Sequence, residues 1–347
     1  MKTQKVLASC LSLLLLAAAG CAAAHATPNA QAGNTLSNRH EEQSVSVKTK
    51  TAEPFADFGM TGTGIEYAIT KDFRVVKTED GWNHTVDLLS LEPFADYVGN
   101  PALDVFQDKA IHVAAFLKTG IDVEQSVDAG KSWAKSVIPV KEDDSGYGGS
   151  LSLSFVSPSE GFLLSCGPPA GGMMGKVLYR TSDGGKSWGK VDGERDSAAK
   201  LSKIDGYPTG ITFFDSEAGI ITCTYHGGTR IPVYRSTDSG KSWKAVPVSL
   251  PARFSSSAGR EYYADAYPPA AYGPSRKNAR LELVFCSDNE RIPYVYRSGD
   301  RGASWKIDGQ SDRALVKYTF ADEKNGAGLD ESGICYTTHD GGLTWLQ

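Results

Sequence analysis

Three observations predict an all-β fold, a β-propeller of four-stranded antiparallel blades. A motif of the form Ser/Thr-x-Asp-x-Gly-x-Ser/Thr-Trp recurs along the 347-residue chain. Its copies are spaced roughly as propeller blades are. Between them lie short runs of alternating polarity rich in β-branched residues, the pattern of half-buried strands.

Ahead of the repeats the chain reads as an export segment. Lys2 and Lys5 precede the apolar run from Val6 to Ala19, which is too short to span a bilayer comfortably. Ala18-Ala19-Gly20-Cys21 resembles a bacterial lipobox, so residues 1–20 are expected to be a lipoprotein signal peptide and Cys21 the lipidated residue. Cleavage after a nearby Ala-x-Ala is the competing expectation. Residues 21–43, rich in Ala, Asn, Gln and Thr, are expected to form a flexible tether to the membrane. The propeller is then expected over 44–347, on the extracytoplasmic side of the cell membrane.

The formal charge is −5, and −7 once Lys2 and Lys5 are removed. A mildly acidic chain without basic runs argues against nucleic acid as a partner. A monomer is expected. Of six cysteines, Cys166, Cys223, Cys286 and Cys335 lie in the repeat region. The first three precede a repeat aspartate by 14 to 17 residues, which suggests equivalent strand positions and buried free thiols; an exported chain also permits a disulfide.

The repeat aspartates are Asp80, Asp128, Asp183, Asp238, Asp300 and Asp340, at intervals of 48, 55, 55, 62 and 40 residues. Asp80 belongs to a worn copy, Thr78-Glu79-Asp80-Gly81-Trp82. In each copy the carboxylate is suited to closing a tight turn on backbone N–H groups and a neighbouring hydroxyl. The glycine supplies positive φ, and the tryptophan buries apolar surface as the next strand begins. Tyr179, Tyr234, Tyr296 and Tyr336 each stand four residues before a repeat aspartate, which points to a packing role. In the Asp238 unit, strands are expected at Gly210–Phe214, Ala218–Thr224, Pro232–Ser236 and Ser242–Val248. Six blades follow; a seventh requires a degenerate unit within Ser249–Pro274. The run Ser44–Thr51 is expected to supply the outermost strand that the C-terminus lacks, closing the ring.

These copies resemble the Asp boxes of the BNR-repeat propellers, a superfamily of sialidases, other glycoside hydrolases, sortilin-type receptors and photosystem II assembly-factor-like propellers. The resemblance implies that the boxes lie between third and fourth strands, on the face away from the functional site. The opposite face then carries the loops Gly167–Gly175, Tyr225–Arg230 and Ser287–Arg291 and the aromatic link Ser249–Tyr272. Ligand-binding candidates are Tyr225, His226, Arg230, Asp288, Glu290, Arg291, Arg260, Tyr262, Tyr263, Asp265 and Tyr267, which offer flat apolar surface with polar handles to a protein or glycan. The expected function is non-catalytic binding.

Two alternatives follow from the resemblance, a sialidase-like glycoside hydrolase and an assembly factor for a membrane complex. Arg230-Ile231-Pro232 and Arg291-Ile292-Pro293 look like the sialidase Arg-Ile-Pro motif, but they fall in the fourth and fifth units, whereas that motif precedes the first box. Tyr262 or Tyr263 with Glu261 or Glu290, and Asp265 or Asp288, have the residue types of a nucleophile pair and an acid. No catalytic residue is assigned. Gly-Lys-Ser recurs at Gly130, Gly185 and Gly240, but Gln125, Arg180 and Arg235 stand where a phosphate-binding loop needs its first glycine. The six histidines form no ligand cluster, so no metal and no cofactor is expected, and Glu142-Asp143-Asp144 is read as a solvated run.

Overall fold

The computed structural model describes residues 54–141, 144–170, 174–191, 201, 204–225, 228–255, 262–287 and 289–347. The signal, Cys21, the tether and the closing strand at 44–51 lie outside these residues, as do His226, Asp288, Arg260 and Glu261.

The chain forms a β-propeller with four-stranded antiparallel blades. Strands β1 (Phe55–Met60), β2 (Glu66–Thr70), β3 (Arg74–Thr78) and β4 (Val86–Ser90) make the first sheet, in that order. β5 (Tyr97–Phe106), β6 (Ala110–Leu117), β7 (Gly120–Ser126) and β8 (Ala134–Pro139) make the next. β9 (Ser150–Phe155), β10 (Gly161–Cys166), β11 (Lys176–Thr181) and β12 (Gly189–Lys190) follow in the same way. A nine-stranded sheet holds β13 (Tyr207–Phe213), β14 (Gly219–Tyr225), β15 (Val233–Ser236) and β16 (Lys244–Ala245) with β17 (Tyr263–Ala266), β18 (Ala270–Tyr272), β19 (Asn278–Ser287), β20 (Glu290–Ser298) and β21 (Lys306–Gln310). β22 (Lys317–Phe320), β23 (Gly326–Leu329) and β24 (Cys335–Thr338) end the chain, with Leu346 bridged to Thr337.

Asp80, Asp128, Asp183, Asp238 and Asp300 sit between the third and fourth strands of their units, and Asp340 follows the third strand of the last, ahead of the Leu346 bridge. Asp238 is representative: the Ser236 hydroxyl donates to Oδ1 at 2.8 Å, the Ser242 N–H donates to Oδ1 at 2.8 Å, and the Ser242 hydroxyl donates to Oδ2 at 2.6 Å. Meanwhile Ser236 Oγ accepts the Gly240 N–H at 2.8 Å. These bonds to the ionised form hold the Asp128 and Asp183 carboxyls down at about 2. In the worn copy the His84 N–H keeps the usual bond to Oδ1 and its ring replaces the fourth-following hydroxyl at Oδ2, and Trp82 stands in the left-handed position (φ 69°) that glycine fills elsewhere. Trp82 is therefore not the counterpart of the other tryptophans; its ring lies tilted against Phe55, 4.5 Å between centres.

The turn also clamps its own blade. The N–H after the aspartate, from Ala129, Ser239, Arg301 and Gly341, donates to the turn between first and second strands at Lys109, Glu217, Lys277 and Lys324. Both turns thus share one end of the propeller.

Blade-to-blade packing follows the pleat, in which alternate residues of a strand face opposite neighbours. On β10, Phe162, Leu164 and Cys166 face the next blade; on β14, Ile221 and Cys223 face back, and all join one core cluster. Cys223 is thus one residue out of register with Cys166, which reverses its direction. The expected equivalence of the two fails, and they meet in one interface. Cys166, Cys223 and Cys286 are buried, Cys335 is partly so, and all four are free thiols. Tyr179, Tyr234, Tyr296 and Tyr336 are buried in four separate inter-blade clusters, as packing residues. Phe155, Phe213 and Phe320 each lie over the glycine six residues on, where a Cβ would come within 2.6–2.7 Å of the ring.

The innermost strands surround an axial cavity of about 700 Å³. Their packing is cyclic: β1 against β5 and β22, β9 against β5 and β13, β18 against β22, with β17 hydrogen-bonded to β14. The described part of Ser249–Pro274 forms a short helix, α1 (Ala252–Ser255), and the innermost strand pair β17 and β18, which Tyr267-Pro268-Pro269 interrupts.

Candidate functional site

Side chains on the cavity wall clip each blade to the next through backbone groups left without a ladder partner. The Leu103 N–H donates to Asp57 at 2.8 Å and the Phe155 N–H to Asp104 at 2.9 Å. Ile211 and Phe213 donate to the Ser152 and Ser154 hydroxyls at 3.0 and 2.8 Å. Thr209 and Thr212 donate to the Ala266 and Pro269 carbonyls at 2.6 and 2.7 Å. Glu282 accepts the Leu315 N–H at 2.8 Å, and the Tyr318 hydroxyl accepts the Glu282 N–H at 2.7 Å. Lys317 pairs with Asp57 at 2.7 Å. These polar groups satisfy otherwise orphaned backbone. Burial raises the Asp104 carboxyl and pushes Glu282 up to about 8.

At the end away from the repeated turns, the β14–β17 ladder brings three candidate segments into one sheet. Tyr225 faces Ala264, which faces Phe285; in the adjacent row Tyr263 faces Cys286, which faces Arg291. Tyr263 and Arg291 thus share one face of this sheet, and Tyr225, one row over, stands on the other. Arg230 stands over the Tyr225 ring at 5.6 Å and pairs with Asp205. Asp265 is buried on the Tyr263 face, opposite Thr224 and Val284.

Tyr267 and Arg291 reach a second hollow of about 320 Å³, shared with Asp312, Arg313, Asp330 and Glu331. Arg291 meets Glu331 at 3.3 Å, and the Arg313 guanidinium lies 4.0 Å over the Tyr336 ring. The Asp330 carboxylate is turned inward, onto the Ser332 and Tyr336 hydroxyls and the Ile334 N–H. The hollow offers two cations, held by aromatic and carboxylate contacts, against a rim of acids. Arg313, Asp312 and Glu331 went unread in the sequence; Asp312 and Arg313 lie on an inter-blade link and Glu331 in a second-to-third-strand loop, the two classes of connection expected on this face.

Two candidates have packing roles instead. Tyr262 lies against Phe254 of α1 and Phe285, at 5.4 and 5.7 Å between ring centres. Glu290 pairs with Arg253 on that helix. The aromatic link thus folds back on the propeller with its own rings, because an apolar helix face gains more from Phe285 than from water.

No known protein-family profile matches the chain. It is 22% identical over 200 residues to the xyloglucanase Xgh74A of Acetivibrio thermocellus, covering 50% of this chain and 23% of that protein. It is 30% identical over 183 residues to a xyloglucanase of a Paenibacillus species, covering 48% of this chain and 17% of that one. The chain thus matches less than a quarter of the length of these relatives. Among solved structures, the GH74 xyloglucanase of Xanthomonas campestris superposes with a TM-score of 0.52 at 15% identity, over 86% of this chain and 46% of its own. YCF48 from Cyanidioschyzon merolae superposes at 0.50 and 14% identity, over 86% of each chain. At such identities the likeness is one of fold.

Proposed function

We propose that this is an exported, lipid-anchored, six-bladed propeller of the Asp-box kind, monomeric, which binds a glycan or protein segment on the face opposite the repeated turns without chemical turnover. The observation that carries the reading is the row of Tyr263 and Arg291, which continues through Tyr267 into the hollow with Arg313, with Tyr225 and Arg230 on the other face of the same sheet end. Rings and guanidinium groups are gathered there, while Asp57 and Asp104 in the axial cavity and Glu282 behind it are committed to holding blades together. A hydrolase needs two positioned carboxyl groups free to act on substrate. Asp57, Asp104 and Glu282 each accept a backbone N–H from the next blade, which favours binding over catalysis. Cys21 and the preceding segment carry the anchor, and Ser44–Thr51 would complete the last blade.

The second reading is a glycoside hydrolase acting on a plant-type polysaccharide, favoured by the partial similarity to xyloglucanases. Purified full-length protein carrying Cys21→Ser, incubated with xyloglucan, arabinan and a fluorogenic sialoside, separates the two. Retention on immobilised polysaccharide or on a peptide array, with no release of reducing ends, supports the binding reading. Turnover lost in Arg291→Ala overturns it. Loss of membrane association in Cys21→Ser, read by fractionation, tests the anchor.

A further inference from the structure

Acceptors on the axial cavity wall are engaged, but donors are in surplus. Asp57 takes the Phe58 and Leu103 N–H groups and the Lys317 ammonium. Ser152 and Ser154 each accept a backbone N–H, and a hydroxyl that accepts keeps one proton to donate. Lys317 has three protons and two acceptors, Asp57 and the Leu103 carbonyl.

Arg276 is the sharpest case. Its guanidinium gives one bond, to the Phe213 carbonyl at 2.9 Å, and lies 5.9 Å over the Phe106 ring. Its Nε is shut off from solvent and has no acceptor. Asp104 acts on it electrostatically, and burial raises that carboxyl. A part-buried guanidinium with no ion pair to a described carboxylate and an Nε without an acceptor is costly, and such a group is a candidate ligand contact. The backbone is arranged to keep it there. Arg276 holds a left-handed conformation (φ 49°) that side chains rarely adopt. Its N–H donates to Gly273 at 3.0 Å, and the Arg301 N–H of the same blade's repeated turn clamps Lys277 at 2.9 Å.

We propose that the axial cavity, at the end bearing the repeated turns, is a binding site for a small oxyanion, a carboxylate or a phosphate, held by Arg276 with Ser152, Ser154 and Lys317. The cavity volume of about 700 Å³ falls within the usual range for small-molecule sites. This site lies at the other end of the propeller from Arg291, with Tyr267 standing between the two hollows, and does not depend on what that face binds.

Calorimetric titration of the full-length protein with sodium glucuronate and, separately, sodium phosphate, against sodium chloride at matched ionic strength, tests it. Saturable binding of either anion is expected, and the two titrations tell a sugar-acid site from a phosphate site. Arg276→Lys keeps the charge and loses the planar donor set, so affinity falls at least tenfold. Arg276→Met abolishes binding without lowering the thermal midpoint, since an unpaired cation is removed; a merely structural arginine gives a lower midpoint instead. Arg291→Ala leaves the titration unchanged. Absence of saturable heat with both anions overturns the proposal. So does undiminished affinity in Arg276→Lys, or loss of binding in Arg291→Ala.

Discussion

At the end carrying the repeated turns, Asp128, Asp183, Asp238, Asp300 and Asp340 each accept two side-chain hydroxyls and one or more backbone N–H groups in a repeated geometry. At the other end, Arg230 and Arg291 each meet one exposed carboxylate, and Arg313 rests on a ring. The first arrangement leaves the carboxylates little freedom to do anything but close a turn. The second leaves charge partly available. Conspicuous sequence repetition marks the end that holds the blades together, and the irregular loops mark the end available to a partner.

If that contrast is right, substitutions at the two ends affect different measurements. Gly240→Ala should have the largest effect on stability. Its backbone is left-handed (φ 85°), and a Cβ would come within 2.3 Å of a Leu178 methyl. A loss of about 2–4 kcal/mol in denaturant unfolding is expected.

Glu282→Gln probes the clips between blades. The folded Glu282 carboxyl titrates at about 8, against an ordinary 4.5. Its contribution to stability is complete below 4.5 and is lost as pH rises towards 8, because the unfolded chain releases that proton first. Glutamine keeps an acceptor for the Leu315 N–H without this loss. The variant should gain on the parent as pH rises from 4.5 to 8, by up to about 4 kcal/mol, read from midpoints at the two pH values. The repeat aspartates run the other way. Asp128 and Asp183, held at about 2, add stability that is present above the ordinary 3.8 and lost as pH falls towards 2.

Asp238→Ala should lower stability by about 1–2 kcal/mol through the loss of its three hydrogen bonds, with ligand binding unchanged. Arg230→Ala and Arg291→Ala should change stability by less than about 0.5 kcal/mol, because their ion pairs are exposed. Their effect should fall on binding.

Much of the fold was legible because its units repeat. In the Asp238 unit the expected strands differ from the observed ones by a few residues, the outermost being shortened to Lys244–Ala245. Phe155–Gly161, Phe213–Gly219 and Phe320–Gly326 carry a second repeated device that was present in the sequence and went unread. The clips from Asp57, Asp104 and Glu282 had no sequence signal, since each joins residues 33 to 51 positions apart. The Cys166–Cys223 register was misread because a one-residue offset reverses a side chain in a strand, and spacing from the repeat aspartate does not resolve a single residue. At the end away from the repeated turns, strand register put Tyr263 and Arg291 in one row, while Tyr225 fell one residue off and turned to the other face. Tyr262 and Glu290 were diverted by α1, whose packing no local pattern announced.

The most direct measurement pairs affinity with stability for one variant from each end. Retention of the full-length protein on xyloglucan and on a peptide array would be compared for Arg291→Ala and Asp238→Ala, each at a temperature where both are folded. The account predicts that Arg291→Ala loses at least tenfold in affinity with an unchanged unfolding midpoint, while Asp238→Ala keeps its affinity and unfolds earlier. The reverse pattern, with binding lost at the repeated turn and untouched at Arg291, would contradict it.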